Sequence, residues 1–183
     1  MLDLPIGKRL TWKQDSLTSR AYTLKSNEQP LVQLHYTGAF NNEALVRPAG
    51  AAESDWLLKF DRQGMITPTV TSKTTDAAIP GTEPMTLDWL GKGEVTLENG
   101  RSFRWQPLNS WHTEWGFLDE NGRAVIECKQ NHWFNGGSVL IHDNDLKAGE
   151  LNLLTTLGWY KSINYTYEMT AVFVVLLVAI IAT

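Results

Sequence analysis

The chain has 183 residues, 43% of them hydrophobic and 20% charged, which suits a packed core and excludes global disorder. Sixteen Lys and Arg against twenty Asp and Glu give a formal charge of -4, so the global basic field that nucleic-acid binding needs is missing. The single cysteine, Cys128, excludes an intramolecular disulfide and any zinc site built on several thiolates, and it fits a reducing compartment.

Met1–Trp12 carries Asp3 and Pro5 and has no apolar run of the signal-peptide kind. A cytoplasmic location is therefore expected. No lipidation pattern is present, and the sequon Asn164-Tyr165-Thr166 has no meaning in that compartment.

From there to about residue 143 the chain alternates. Val32, Leu34 and Tyr36 oppose Gln33 and His35, and Val95 and Leu97 oppose Glu94 and Thr96. Period-two alternation marks a sheet with one dry and one wet face. Asn99-Gly100 and Asn121-Gly122 sit between such runs and predict hairpins, and Asp61-Arg62-Gln63-Gly64 predicts a third. Twelve strands are expected: 8–13, 17–25, 31–36, 43–47, 55–60, 65–72, 85–90, 93–97, 102–106, 113–118, 123–130 and 138–142. Many short antiparallel strands at regular spacing predict a barrel or sandwich. Thr74–Pro84 is expected to be a loop. Gly91-Lys92-Gly93 and Gly136-Gly137 are expected to be turns, since neither opens a helix with a phosphate-binding Lys-Ser/Thr.

After Asp143 the pattern changes. In Glu150–Tyr165 the residues Leu151, Leu153, Leu154, Leu157, Trp159, Tyr160 and Ile163 cover nearly the whole circumference of a helix. Such a helix must be buried on all sides or lie in lipid. Met169–Thr183 then runs fifteen residues without a charge. As a helix it would span about 22 Å, short of the ~30 Å hydrocarbon core. Three readings stay open for this tail: contact with a membrane through Val172, Phe173, Val174, Leu176, Leu177, Ile180 and Ile181, packing on the chain's own barrel, or a subunit interface.

Twelve antiparallel strands followed by an apolar helix resemble the superfamily of tubby C-terminal domains, LURP-one-related proteins and phospholipid scramblases. The residues that carry the resemblance are Leu97–Trp105, Glu114–Arg123, and Asp145-Leu146-Lys147 leading into Leu151–Tyr160. The resemblance covers about Lys8 to Tyr165. It implies a closed barrel around a central hydrophobic helix, with Leu151, Leu154, Leu157 and Tyr160 enclosed. The domain is expected over residues 1–167, with an apolar tail at 168–183. The chain departs from the pattern in three ways. It has no dense Lys/Arg cluster like the phosphoinositide-binding surface of tubby domains. It lacks the cysteine- and proline-rich leader of scramblases. Its apolar tail is additional to the tubby pattern.

Candidate chemistry is sparse. Cys128 and His132 share a strand face and could hold a metal, but Cys128 alternates with Ala124 and Ile126 and reads as core. No Gly-x-Ser-x-Gly is present, and Asp119-Glu120 and Asp143 with Asp145 read as solvated turn acids. Of the eight tryptophans, Trp56 and Trp105 fall on apolar faces. Trp111 and Trp133 do not, and suit a barrel rim or a membrane edge. No catalytic residue, cofactor or metal is therefore expected, and no nucleic-acid partner. The expected function is a non-catalytic barrel associated with a lipid or membrane surface. The alternatives are a soluble structural or protein-interaction barrel, and an enzyme with a loop-borne site.

Overall fold

The computed structural model of the chain describes residues 7–16, 19–37, 43–49, 56–60, 65–70, 85–88, 90–97, 99–131, 136–142, 146–147 and 149–164. The alternating runs form twelve strands: β1 (Arg9–Gln14), β2 (Ala21–Ser26), β3 (Gln29–Tyr36), β4 (Glu43–Pro48), β5 (Trp56–Phe60), β6 (Met65–Val70), β7 (Met85–Leu87), β8 (Gly93–Thr96), β9 (Ser102–Pro107), β10 (Glu114–Leu118), β11 (Ala124–Gln130) and β12 (Gly136–Ile141). One helix, α1, follows over residues 149–164. The protein is thus mainly β, an antiparallel sheet with a helix packed on its inner face.

Each strand pairs antiparallel with its neighbours in sequence. The last ladder joins β1 to β12, with Leu10 opposite Val139 and Trp12 opposite Gly137, and brings the strand order round into a ring. In that ring each strand pairs on both sides, only briefly where β6 meets β7 through Met65 and Ile66 alone, so little strand edge is left to recruit another chain. The inward set is apolar: Leu10, Trp12, Tyr22, Leu24, Val32, Leu34, Phe103, Trp105, Phe117, Val139 and Ile141 are all buried. Their outward neighbours on β1, Arg9, Thr11 and Lys13, are exposed.

A ring of eight strands is just wide enough for side chains to fill. Twelve strands leave room for more, and α1 occupies that room. Every residue of α1 from Glu150 to Asn164 is buried. Its partners lie on well-separated strands of the ring. Tyr160 stacks on Tyr36 of β3 at 5.7 Å, whereas a Cβ at Gly158 would lie 3.1 Å from both Cys128 of β11 and Trp105 of β9. Leu151, Leu154, Leu157 and Tyr160 are 4%, 0%, 0% and 0% exposed.

The direction of α1 follows from its end contacts. Its first turn meets the β8–β9 turn, where Asn99 and Arg101 bond Glu150. Its last turn meets the ends of β3 and β11, where Tyr36 donates to Asn164 Oδ1 at 2.7 Å and Gln130 donates to the Ser162 carbonyl. At 1.5 Å per residue the sixteen residues of α1 cover about 24 Å. The chain therefore enters the ring at the rim where β12 ends and reaches the opposite rim at Asn164.

Two expectations are corrected. Gly136 and Gly137 are not a turn; they open β12. Opposite Gly137 the Trp12 indole lies so close that a Cβ would come within 2.8 Å of its Cε2 and Nε1, so the glycine provides the flat surface on which the ring rests. The strand expected over 85–90 stops at Leu87, because the Asp88 carboxylate accepts from the Leu90 and Lys92 amides and folds the chain into a turn. The third hairpin turn at 61–64, the Thr74–Pro84 loop and the tail residues 169–183 lie outside the described residues.

Candidate functional site

Among the described residues three regions hold side chains that could act on another molecule: the polar atoms of α1, a groove on the outer wall, and the rim at the C-terminal end of α1.

The first region is mostly structural. Glu150 is 1% exposed and accepts from Asn99 Nδ2 at 2.5 Å, from Arg101 at 3.1 Å and from the Lys147 amide at 2.9 Å. The Leu151 amide in turn donates to the Lys147 carbonyl. A glutamate three residues after the capping residue that reaches back to its amide is one half of a capping box. Here it also ties the helix to the β8–β9 turn. On another face, Asn152 Oδ1, Thr155 Oγ1 and Trp159 Nε1 are buried without hydrogen bonds, at about 1–3 kcal/mol each. Lys161 is 4% exposed in the last turns.

Cys128 lies against this helix. Burial pushes its thiol up to about 12, a hydrogen bond with Ser162 opposes the shift, and the nearby Glu127 charge adds to it. A thiol held that far from ionisation is a small core residue and a poor nucleophile. His132 is outside the described residues. His112 packs edge-on against Trp115, and His142 pairs with Glu127 at 3.0 Å on the surface. The structure therefore brings neither of these imidazoles to Cys128. Among the described residues no three His, Cys, Asp or Glu side chains are placed to hold a metal ion.

The acidic turn at Asp119 is more than a solvated surface. Asp119 is buried, and its carboxylate accepts from the Asn121 and Arg123 amides and from Arg123 Nε at 2.8 Å. Burial raises its pKa, but these hydrogen bonds and the Arg123 charge outweigh burial and hold it below the usual carboxylate value. Asp143 and Asp145 lie outside the described residues.

The groove, of about 870 Å³, runs over the outer faces of β1, β11 and β12. Thr11, Ser138 and Gly136 contribute small or absent side chains to it, and Lys13, Lys25 and Lys129 line it. Two of the lysines are paired, Lys25 with Glu28 at 3.6 Å and Lys129 with Glu114. Ser138 Oγ accepts from Arg9 at 2.9 Å. The described lining contains no imidazole or thiol that could activate a nucleophile.

The third region is the rim that carries the turns after the odd-numbered strands. Residues 108–113 join β9 to β10. Asn109 Oδ1 accepts from the Thr113 amide, Asn109 Nδ2 donates to Thr113 Oγ1, and the His112 amide donates to the Asn109 carbonyl. His112 takes a positive φ of 55°, and its carbonyl accepts from Trp115 Nε1 at 2.8 Å. A closely tied turn thus holds Trp111 out at 86% exposure. Beside it, the β7–β8 turn is closed by Asp88 and by Gly91 at a φ of 78°, and Leu90 is 39% exposed at its tip. A Cβ on Gly91 would lie 3.8 Å from the Trp115 ring, so the two turns are neighbours. Trp105 is buried as its alternation predicts, Trp133 lies outside the described residues, and nothing is described of the Trp56 side chain.

Among the described residues no helix is long and apolar enough to cross a membrane. The tail residues Val172, Phe173, Val174, Leu176, Leu177, Ile180 and Ile181 lie outside the described set. Sequence reasoning missed the bonding of Asp119 and the Trp12–Gly137 contact. The first had a signal in the Asp-x-x-Gly turn, but the second joins residues over a hundred positions apart. Comparison with protein-family models, curated proteins and solved structures finds no match to this chain.

Proposed function

We propose that this chain is a non-catalytic β-barrel protein of the tubby, LURP-one and scramblase type that works at a lipid surface, with the barrel as a rigid body and residues 169–183 as the segment that meets lipid. The observation that carries this reading is the path of α1. It fills the inside of the ring and ends at Asn164 on one rim, so the inner apolar surface is already covered before the sequence reaches the uncharged run Met169–Thr183. The outer faces of β1, β9 and β11 present Arg9, Lys13, Arg104, Glu127 and Lys129, which offer an apolar helix little to pack on. A run such as Val172–Ile181 left in water would aggregate, and lipid covers it.

The test compares the full chain with a chain ending at Glu168, by flotation with phosphatidylcholine vesicles and by melting temperature. The full chain should float, and the shortened one should stay in solution with an unchanged melting temperature. A lower melting temperature in the shortened chain would mean the tail packs on the barrel. A full chain that does not float would favour the soluble interaction barrel.

A further inference from the structure

We propose that the rim built from the turns at 88–92 and 108–113 is the end of the barrel that faces lipid, with Trp111 seated at the headgroup level of a zwitterionic bilayer. This rests on the lipid reading above and adds an orientation and a contact residue to it.

Three observations converge on that rim. Among the described residues only two large hydrophobic side chains are exposed, Trp111 and Leu90, and both stand on adjacent turns there. Neither exposure is the accident of a slack loop, since each turn is closed by side-chain-to-backbone hydrogen bonds from Asn109 or Asp88. Holding an indole in water without need is unfavourable, and a rigid turn that does so presents it to something. The second observation is contrast. The described turns of the opposite rim are polar at their tips, with Asn27 and Glu28, Asn99 and Gly100, and Glu120 and Asn121, whereas on this rim the turns at 88–92 and 108–113 carry exposed apolar side chains beside a polar β1–β2 turn at Asp15 and Ser16. The third is continuity. α1 ends at this same rim, and the nineteen residues beyond Asn164 finish in the fifteen-residue uncharged run. A chain that continues from the rim bearing the two apolar turn tips lets one bilayer surface meet both the rim and the uncharged run.

The chemistry favours neutral lipid. Tryptophan suits the interface because its ring is apolar and its N–H can still reach a polar partner. Among the described residues of this rim cations do not outnumber anions: Arg20 shares the β1–β2 turn with Asp15, Lys92 stands near Asp88, and Lys129 is paired with Glu114. Binding should therefore need no anionic lipid and should change little with salt.

The test uses the full chain with Trp111→Cys or, as control on the opposite rim, Glu120→Cys, each labelled with an environment-sensitive fluorophore. Cys128 is buried and does not compete for the label. With phosphatidylcholine vesicles the label at 111 should shift to the blue and be quenched by a lipid-phase quencher, while the label at 120 should do neither. Adding phosphatidylserine should leave both unchanged. Unlabelled Trp111→Ser should keep its melting temperature and partition about tenfold more weakly into vesicles. A full chain that floats while the label at 111 stays in water, or while Trp111→Ser partitions like the parent, would overturn the rim assignment and leave lipid association standing. A full chain that does not float would overturn both.

Discussion

Gly158→Ala should destabilise this protein, although the same change in most helices does the opposite. Replacing an interior helical glycine by alanine gains about 1 kcal/mol from helix propensity alone. On a helix facing solvent that gain would stand. Here the added methyl would sit 3.1 Å from Cys128 Sγ, 3.1 Å from Trp105 Cζ3 and 3.5 Å from Phe117 Cε2. Those neighbours have little room to retreat. Trp105 is stacked on Trp115 at 5.7 Å and packed on Phe117 at 4.9 Å, and all three rings are buried in the wall. Overpacking a core by one methylene-sized group costs about 1–3 kcal/mol. The expected net is a loss of up to about 2 kcal/mol, which lowers the melting temperature by up to about 8 °C for a domain of this size. Circular dichroism melts of parent and variant measure it directly. Combining the change with Cys128→Ala removes one of the two closest atoms, so the pair should cost less than the sum of the single changes, with a coupling of at least about 0.5 kcal/mol. A Gly158→Ala protein that melts higher than the parent would refute the enclosed position of α1.

Leu154→Ala and Leu157→Ala remove side chains that are fully buried, and each should cost about 2–5 kcal/mol in urea unfolding; curves that overlay the parent's would contradict the packing of α1. Asp119→Asn tests the β10–β11 turn through pH. The folded pKa of Asp119 lies below its unfolded value of about 3.9, so its ionised form contributes stability above that pH and loses it as the pH falls through the folded pKa. The stability gap between parent and Asp119→Asn should be widest near neutrality and close in strong acid, and a gap of the same size at pH 7 and pH 3 would show that the charge is not what organises the turn.

Local pattern carried much of this architecture in the sequence. Period two in Val32–Tyr36 and Val95–Leu97 defined which side chains point inward, because neighbouring Cβ atoms on a strand face opposite sides whatever the strand pairs with. Asn99-Gly100 and Asn121-Gly122 marked their hairpins. Of each pair only the glycine takes a positive φ, 82° at Gly100 and 76° at Gly122. In both hairpins the chain turns through three residues closed by an amide-to-carbonyl bond, Leu97 to Arg101 and Asp119 to Arg123. The all-round apolar surface of Leu151–Ile163 required enclosure, since such a helix has no face to give to water. Trp111 fell outside every apolar alternation, and it is the most exposed large hydrophobic side chain described.

What the pattern could not carry is which strands meet at long range. The pairing of β1 with β12 joins residues more than 120 positions apart, such as Leu10 and Val139, and no local propensity encodes such a partner. That ladder turned Gly136-Gly137 from an expected turn into a strand, because the Trp12 ring needed a surface without a Cβ. It also fixed the course of α1, and with it the rim at which the chain continues past Asn164. The turns holding Trp111 and Leu90 are twenty-one residues apart in sequence. Only the ring of strands sets them side by side at that rim, because antiparallel neighbours return every odd-numbered turn to the same end.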